Sequence, residues 1–174
     1  MTDVTEPPAG ANPAARLEAV FRHIATTRMA GVGLLNEVLD VEAVGFRLHQ
    51  GQWLGVLITP WFMNLIGMPV AEPVWQGQTL GSKVDVELPA GCYEFLVAEE
   101  DELGPYLTNS LYSPMFGFAD MDQARSVAES VLTALFTPAE PAGVPEPAGL
   151  QARLQQPLGR RGFFGALLGG GSKR

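Results

Sequence analysis

The most unusual stretch of the 174-residue chain reads GRRGFFGALLGG, from Gly159 to Gly170. Guanidinium groups at Arg160 and Arg161 can grip carboxylates with two parallel hydrogen bonds, and Phe163 and Phe164 begin an apolar run behind them. A basic pair ahead of an apolar run is the pattern of a twin-arginine export signal. Here it lies near the C-terminal end, and its run is short and broken by glycine, so it reads as an imitation of such a signal. The complementary chemistry is the run Glu99, Glu100, Asp101, Glu102. Such a run serves either as a solvated loop or as a carboxylate rim that attracts an arginine pair. Around it in sequence stand Trp53, Trp61, Phe62 and Trp75, then Tyr106, Tyr112, Phe116 and Phe118, which can be core or the walls of a groove for an apolar peptide.

Catalytic chemistry has few candidates. Only two histidines, His23 and His49, are present, and no HExxH, GxSxG, P-loop or GxGxxG context surrounds them. The single cysteine, Cys92, follows a turn at the start of a strand and reads as a structural thiol or, less simply, a nucleophile. One cysteine excludes internal disulfides and CxxC metal sites, so no cofactor and no metal are expected. A reducing, cytoplasmic setting is the default, and the first 30 residues show no cationic start followed by an apolar block.

Charge divides the chain. Residues 1–150 hold all 19 acids against 6 of the 11 bases, a net −13, whereas residues 151–174 hold five bases and no acid. An acidic body repels nucleic acid and anionic membrane surfaces and favours a cationic peptide.

The elements that must position these residues follow from periodicity. Asn12 before Pro13 starts a helix whose apolar stripe is Leu17, Val20, Phe21 and Ile24, running to about Ala30. Alternation of Val44, Phe46 and Leu48 against Arg47 and His49 marks a strand from Val41. Gln50-Gly51 turns into a second strand, Trp53 to Thr59. No charge occurs between His49 and Glu72. Pro60, Asn64, Gly67 and Pro69 nevertheless interrupt that segment too often for a membrane span. Thr59-Pro60 reads as another cap and predicts a short helix over Trp61 to Ile66. Residues 70–82 are loop. Val84 to Leu88 and Cys92 to Ala98 form a second hairpin, and residues 105–118 have no clean period. Asp120 caps a last helix with Gln123 completing a capping box, and Ala124, Val127, Ala128, Val131 and Leu135 line one face. Prolines 138, 141, 145 and 147 then make a linker.

The expected architecture is therefore α+β: antiparallel β-hairpins covered by at least two amphipathic helices. The domain runs over residues 12–137, between a disordered segment 1–11 and a Pro-rich linker 138–149 that leads to a basic, apolar tail, 150–174.

Three stretches carry a family resemblance: GQWLGVLITPWFMNL (Gly51 to Leu65), LPAGCYEF (Leu88 to Phe95) and YLTNSLYSPMF (Tyr106 to Phe116). In this order they resemble the HybE/HupJ/HoxT family of [NiFe]-hydrogenase assembly chaperones, over about Ala11 to Phe136. The resemblance implies a non-enzymatic helper of cytoplasmic hydrogenase maturation. Its partners would be the twin-arginine-bearing small-subunit precursor, the large subunit, or both, alongside other maturation proteins, with at most transient membrane contact. Some relatives carry a rubredoxin module with paired CxxC motifs, for which these residues have no thiolates. On this reading Trp61, Phe62, Tyr112, Pro114, Met115 and Phe116 face the bound peptide, and Glu99 to Glu102 meet its arginines. Arg160, Arg161, Phe163 and Phe164 fold back onto the same surface as a self-mimic. Two alternatives remain open: a peripheral membrane protein anchored by the tail, and a small-molecule enzyme using Cys92.

Overall fold

A computed structural model describes residues 10–73 and 75–139. The segment 1–9, most of the linker and the whole basic tail, including Arg160, Arg161, Phe163 and Phe164, lie outside the described residues. The elements are α1 (Ala14–Thr26), β1 (Glu42–His49), β2 (Gln52–Ile58), β3 (Met63–Pro69), β4 (Lys83–Leu88), β5 (Gly91–Glu100), β6 (Gly104–Tyr112) and α2 (Met121–Phe136). All six strands form one antiparallel sheet in the order β1-β2-β3-β6-β5-β4. The α+β expectation holds.

Helix α1 buries the stripe read from sequence, Leu17, Val20, Phe21 and Ile24, against Leu57, Ile66, Met68 and Tyr106 on one face of the sheet. It stops at Thr26 rather than Ala30. The hydroxyls of Thr26 and Thr27 bond back to the carbonyls of Arg22 and His23, competing with the next helical turn. Helix α2 starts where predicted: the Asp120 carboxylate accepts from the Gln123 N–H at 2.8 Å, and the Gln123 side chain accepts from the Ala119 N–H. Its buried face is Ala124, Ala128, Leu132 and Leu135, so Leu132 belongs where Val127 and Val131 were expected. The Arg125 guanidinium locks α2 to β1 through two parallel bonds to the Glu42 carboxylate, at 2.7 and 2.8 Å. Those bonds, with a third to Asp122, push its pKa upward.

The β1–β2 hairpin turns on Gln50 and Gly51, both at positive φ, as a two-residue primed turn requires. Within β1 the register slips between Val44 and Arg47. Gly45, at φ +63°, supplies the left-handed residue of this bulge. The extra residue breaks the alternation read from sequence: Phe46 packs with the α1 cluster, Leu48 is exposed, and Arg47 lies 4.5 Å over the Phe136 ring of α2. At the end of β1, His49 Nε2 bonds the Glu87 carbonyl of β4 at 2.7 Å, so the two outermost strands of the sheet touch.

The helix expected over Trp61 to Ile66 is not formed. Thr59 and Pro60 instead open a tight turn: the Thr59 hydroxyl accepts from the Phe62 N–H, and the Thr59 N–H donates to the Phe62 carbonyl at 2.8 Å. The cap signal is real but serves a turn, and Met63 to Pro69 continues as a strand paired on both sides, to β2 and β6. Residues 104–112, without period in sequence, form β6 for the same reason: β3 and β5 hold it on both edges.

Candidate functional site

Sequence reading grouped an acidic run with aromatic residues on both sides of it. The fold separates them onto two flanks of α1. Glu99 and Glu100 end β5, and Asp101 and Glu102 form the turn to β6, rather than a free loop. This turn lies against α1, where Arg16 donates to the Glu102 carbonyl and Arg28 reaches the Glu100 carboxylate at 2.7 Å. Between helix and turn is a cleft of about 240 Å³, lined by Val20, His23, Ile24, Thr27, Arg28 and the three acids Glu100, Asp101 and Glu102. An apolar floor beneath carboxylates suits the stem and head of an arginine side chain.

On the other flank, Phe21 of α1 meets Phe62 edge-on at 5.7 Å and Trp61 at 6.4 Å. Trp61 and Phe62 are half-buried and pack edge-on against each other. Beside them the Ser113 hydroxyl lies 3.4 Å from the Trp61 carbonyl, and Tyr112 packs edge-on to Phe118 at 5.3 Å. Burial pushes the Tyr112 phenol above its ordinary pKa. Pro114, after a cis bond from Ser113, is exposed. Met115 is 0 % exposed and is a core residue, so its neighbour Phe116, at 56 %, is the side chain this segment offers to solvent. Trp75 and Tyr106 are likewise buried and wall no groove.

The residues that sequence reading missed lie between α1 and β1. Val32, Leu34 and Val38 are 48 %, 48 % and 55 % exposed. Asn36 fastens their loop to the aromatic end. Its amide nitrogen donates to both the Met115 carbonyl at 3.0 Å and the Phe118 carbonyl at 2.8 Å, and its backbone N–H donates to the Pro60 carbonyl at 2.8 Å. Four exposed apolar side chains thus stand around one clasp, next to half-buried Trp61, Phe62, Tyr112 and Phe118. Scattered apolar residues on a surface need no explanation, but a rigidly joined group of this kind is the usual mark of a protein-binding surface.

The catalytic candidates are not assembled. Partial desolvation, together with the carboxylates of Asp85 and Glu87, pushes the exposed Cys92 thiol up, the reverse of nucleophile activation. His49 spends its Nε2 on a backbone carbonyl, and His23 stands at the acidic cleft. Among the described residues no group of three or more His, Cys, Asp or Glu could hold a metal ion, and no helix is long and apolar enough to cross a membrane.

The fold defines an α+β domain built on one antiparallel sheet, with a joined apolar surface and an acidic cleft on the two sides of its first helix. The chain belongs to the [NiFe]-hydrogenase assembly chaperone HybE family, whose pattern matches residues 12–166. It is 43 % identical over 157 residues to the hydrogenase expression/formation protein HupT of Azotobacter chroococcum, covering 90 % of this chain and 96 % of that one. To the probable rubredoxin HupJ of Rhodobacter capsulatus it is 46 % identical over 120 residues, 69 % of this chain but only 43 % of that relative's length. The solution structure of HybE from Escherichia coli superposes with a TM-score of 0.60 at 30 % identity, over 83 % of this chain and 91 % of that one.

Proposed function

We propose that this chain is a cytoplasmic, non-enzymatic chaperone. It holds [NiFe]-hydrogenase precursor subunits before export, the small subunit with its twin-arginine signal, the large subunit, or both. The observation that carries this reading is the apolar platform of Val32, Leu34, Val38 and Phe116, joined by Asn36 and backed by Trp61, Phe62, Tyr112 and Pro114. An apolar precursor segment covers this platform, while an arginine pair ahead of it enters the cleft at Glu100, Asp101 and Glu102, with Glu99 adding to the field. Helix α1 touches both surfaces, through Phe21 on one flank and Val20 and Ile24 on the other, so one extended peptide can meet both. Membership of a hydrogenase assembly family supports the choice of client.

The test is co-purification of the full-length chain from cells expressing the cognate hydrogenase operon, with and without the small-subunit signal peptide. Phe116→Ser combined with Val38→Ser should abolish capture of the precursor while leaving the circular-dichroism spectrum unchanged. Recovery of neither subunit by the unsubstituted chain, or undiminished capture by the double variant, defeats the reading.

A further inference from the structure

We propose that the apolar platform is occupied, in the absence of a client, by the chain's own segment Gly159 to Gly170, so that the tail acts as a competitor in cis. The inference rests on the platform being the client surface. Three observations select this occupant.

The first is charge. The described domain, residues 10–139, carries fifteen acids against six bases, and Glu37 stands exposed within the platform's own loop. Residues 151–174 carry five bases and no acid. Such opposite signs on one chain attract, and the attraction weakens with added salt.

The second is chemistry. Phe163, Phe164, Leu167 and Leu168 stand directly behind Arg160 and Arg161, the order of groups that the platform and the acidic cleft would select in a client. The linker supplies no rival, because residues 138–149 contain no aromatic residue, one leucine fewer than any useful anchor, and two acids.

The third is reach. The described chain ends at Ala139, whose N–H bonds the Pro89 carbonyl between β4 and β5 at 3.3 Å. From there twenty residues lead to Gly159, a tether that can stretch to about 65 Å. A domain of this size has a radius of gyration of about 14 Å, so every face lies within range. A tether of this kind presents its end at an effective concentration of about a millimolar. If the free segment binds with a dissociation constant of about 100 µM, cis competition weakens any rival peptide about tenfold, the ratio of those two concentrations.

The experiment uses the full chain and, as probe, a fluorescent peptide of residues 159–170 added in trans, read by anisotropy. In one variant Arg160→Gln, Arg161→Gln, Phe163→Ser and Phe164→Ser remove the tail's anchors without shortening the chain. That variant should bind the probe about tenfold more tightly than the unsubstituted chain, and adding Phe116→Ser and Val38→Ser should reverse the gain. Equal probe affinity for the unsubstituted chain and the tail variant overturns the proposal, as does probe binding indifferent to the platform substitutions. Precursor capture, measured on the same tail variant, separates the two readings. Capture without any change in probe affinity leaves the client surface standing and removes the tail from it, whereas loss of capture in the platform variant alone is the signature of the client surface itself.

Discussion

Asn36 Nδ2 lies 2.8 Å from the carbonyl oxygen of Phe118 and 3.0 Å from that of Met115. One side-chain amide therefore ties the loop after α1 to the segment before α2. Asn36→Asp replaces a double donor with a carboxylate facing two carbonyl oxygens, and Asn36→Ala removes the donor. Loss of these bonds should cost about 1–3 kcal/mol, because the carbonyls lose partners that water reaches poorly. Urea denaturation should show the loss for both variants, with Asp the worse. Amide exchange should rise in residues 31–39 ahead of the rest of the domain, and precursor capture should fall with it.

Gly45 makes the bulge of β1 and cannot be replaced cheaply. A Cβ there would sit 2.5 Å from Leu132 Cδ1, and the backbone is at φ +63°. Gly45→Ala should lose about 2–4 kcal/mol, conformational strain plus overpacking against α2. Gly51→Ala provides the contrast: φ is +78° but nothing lies within 4 Å, so only the conformational part, about 1 kcal/mol, is expected. The difference between the two denaturation midpoints measures the contact between α2 and the bulge.

Both glycines show where sequence reading succeeds and where it stops. Gln50-Gly51 was legible because a turn declares itself in neighbouring residues, as do the Asp120 and Gln123 cap and the stripe of α1. The bulge was not, since Gly45 looks like any strand glycine until Leu132, far along the chain, is packed on it. Thr59-Pro60 gave a correct local signal with two possible outcomes, and the pairing of β3 on both edges decided between them. The aromatic half of the candidate surface was visible as residue types. Val32, Leu34 and Val38 were not, because only the long-range bonds of Asn36 gather them.

Cys92 should alkylate slowly. Its thiol is pushed up by desolvation and by Asp85 and Glu87, so the thiolate fraction at pH 8 is below that of a free cysteine. Iodoacetamide should label Asp85→Asn combined with Glu87→Gln several-fold faster, since the gain in thiolate outweighs its smaller intrinsic nucleophilicity. An unchanged rate would show that the carboxylate field does not govern the thiol.

Tyr106 is buried beside Glu100, and its phenol is pushed up to about 12 from 10.0, chiefly by burial, then by Glu100, with Arg28 opposing. The folded state therefore holds this proton more tightly than the unfolded state does. Stability from this group is intact below about pH 10 and is lost between about pH 10 and 12, by an amount of order 2 kcal/mol. Tyr106→Phe cannot ionise and should flatten the fall in stability over that window by about one proton, measured as the slope of denaturation free energy against pH. A slope identical to that of the unsubstituted chain would place the alkaline transition elsewhere.

Arg28 and an incoming arginine would compete for one carboxylate. Arg28 meets Glu100 at 2.7 Å with its side chain largely in solvent, an exposed pairing of the kind worth less than about 1 kcal/mol. Such a weak internal partner can be displaced by a peptide that brings two guanidinium groups and an apolar run together. Arg28→Gln should consequently leave the denaturation midpoint nearly unchanged and raise affinity for the small-subunit signal peptide several-fold at low salt. Glu100→Gln should lower that affinity and flatten its salt dependence, because the group being contested has lost its charge. If Arg28→Gln weakens binding instead, Arg28 shapes the cleft rather than occupying it, and the arginine pair must be received elsewhere on the acidic surface.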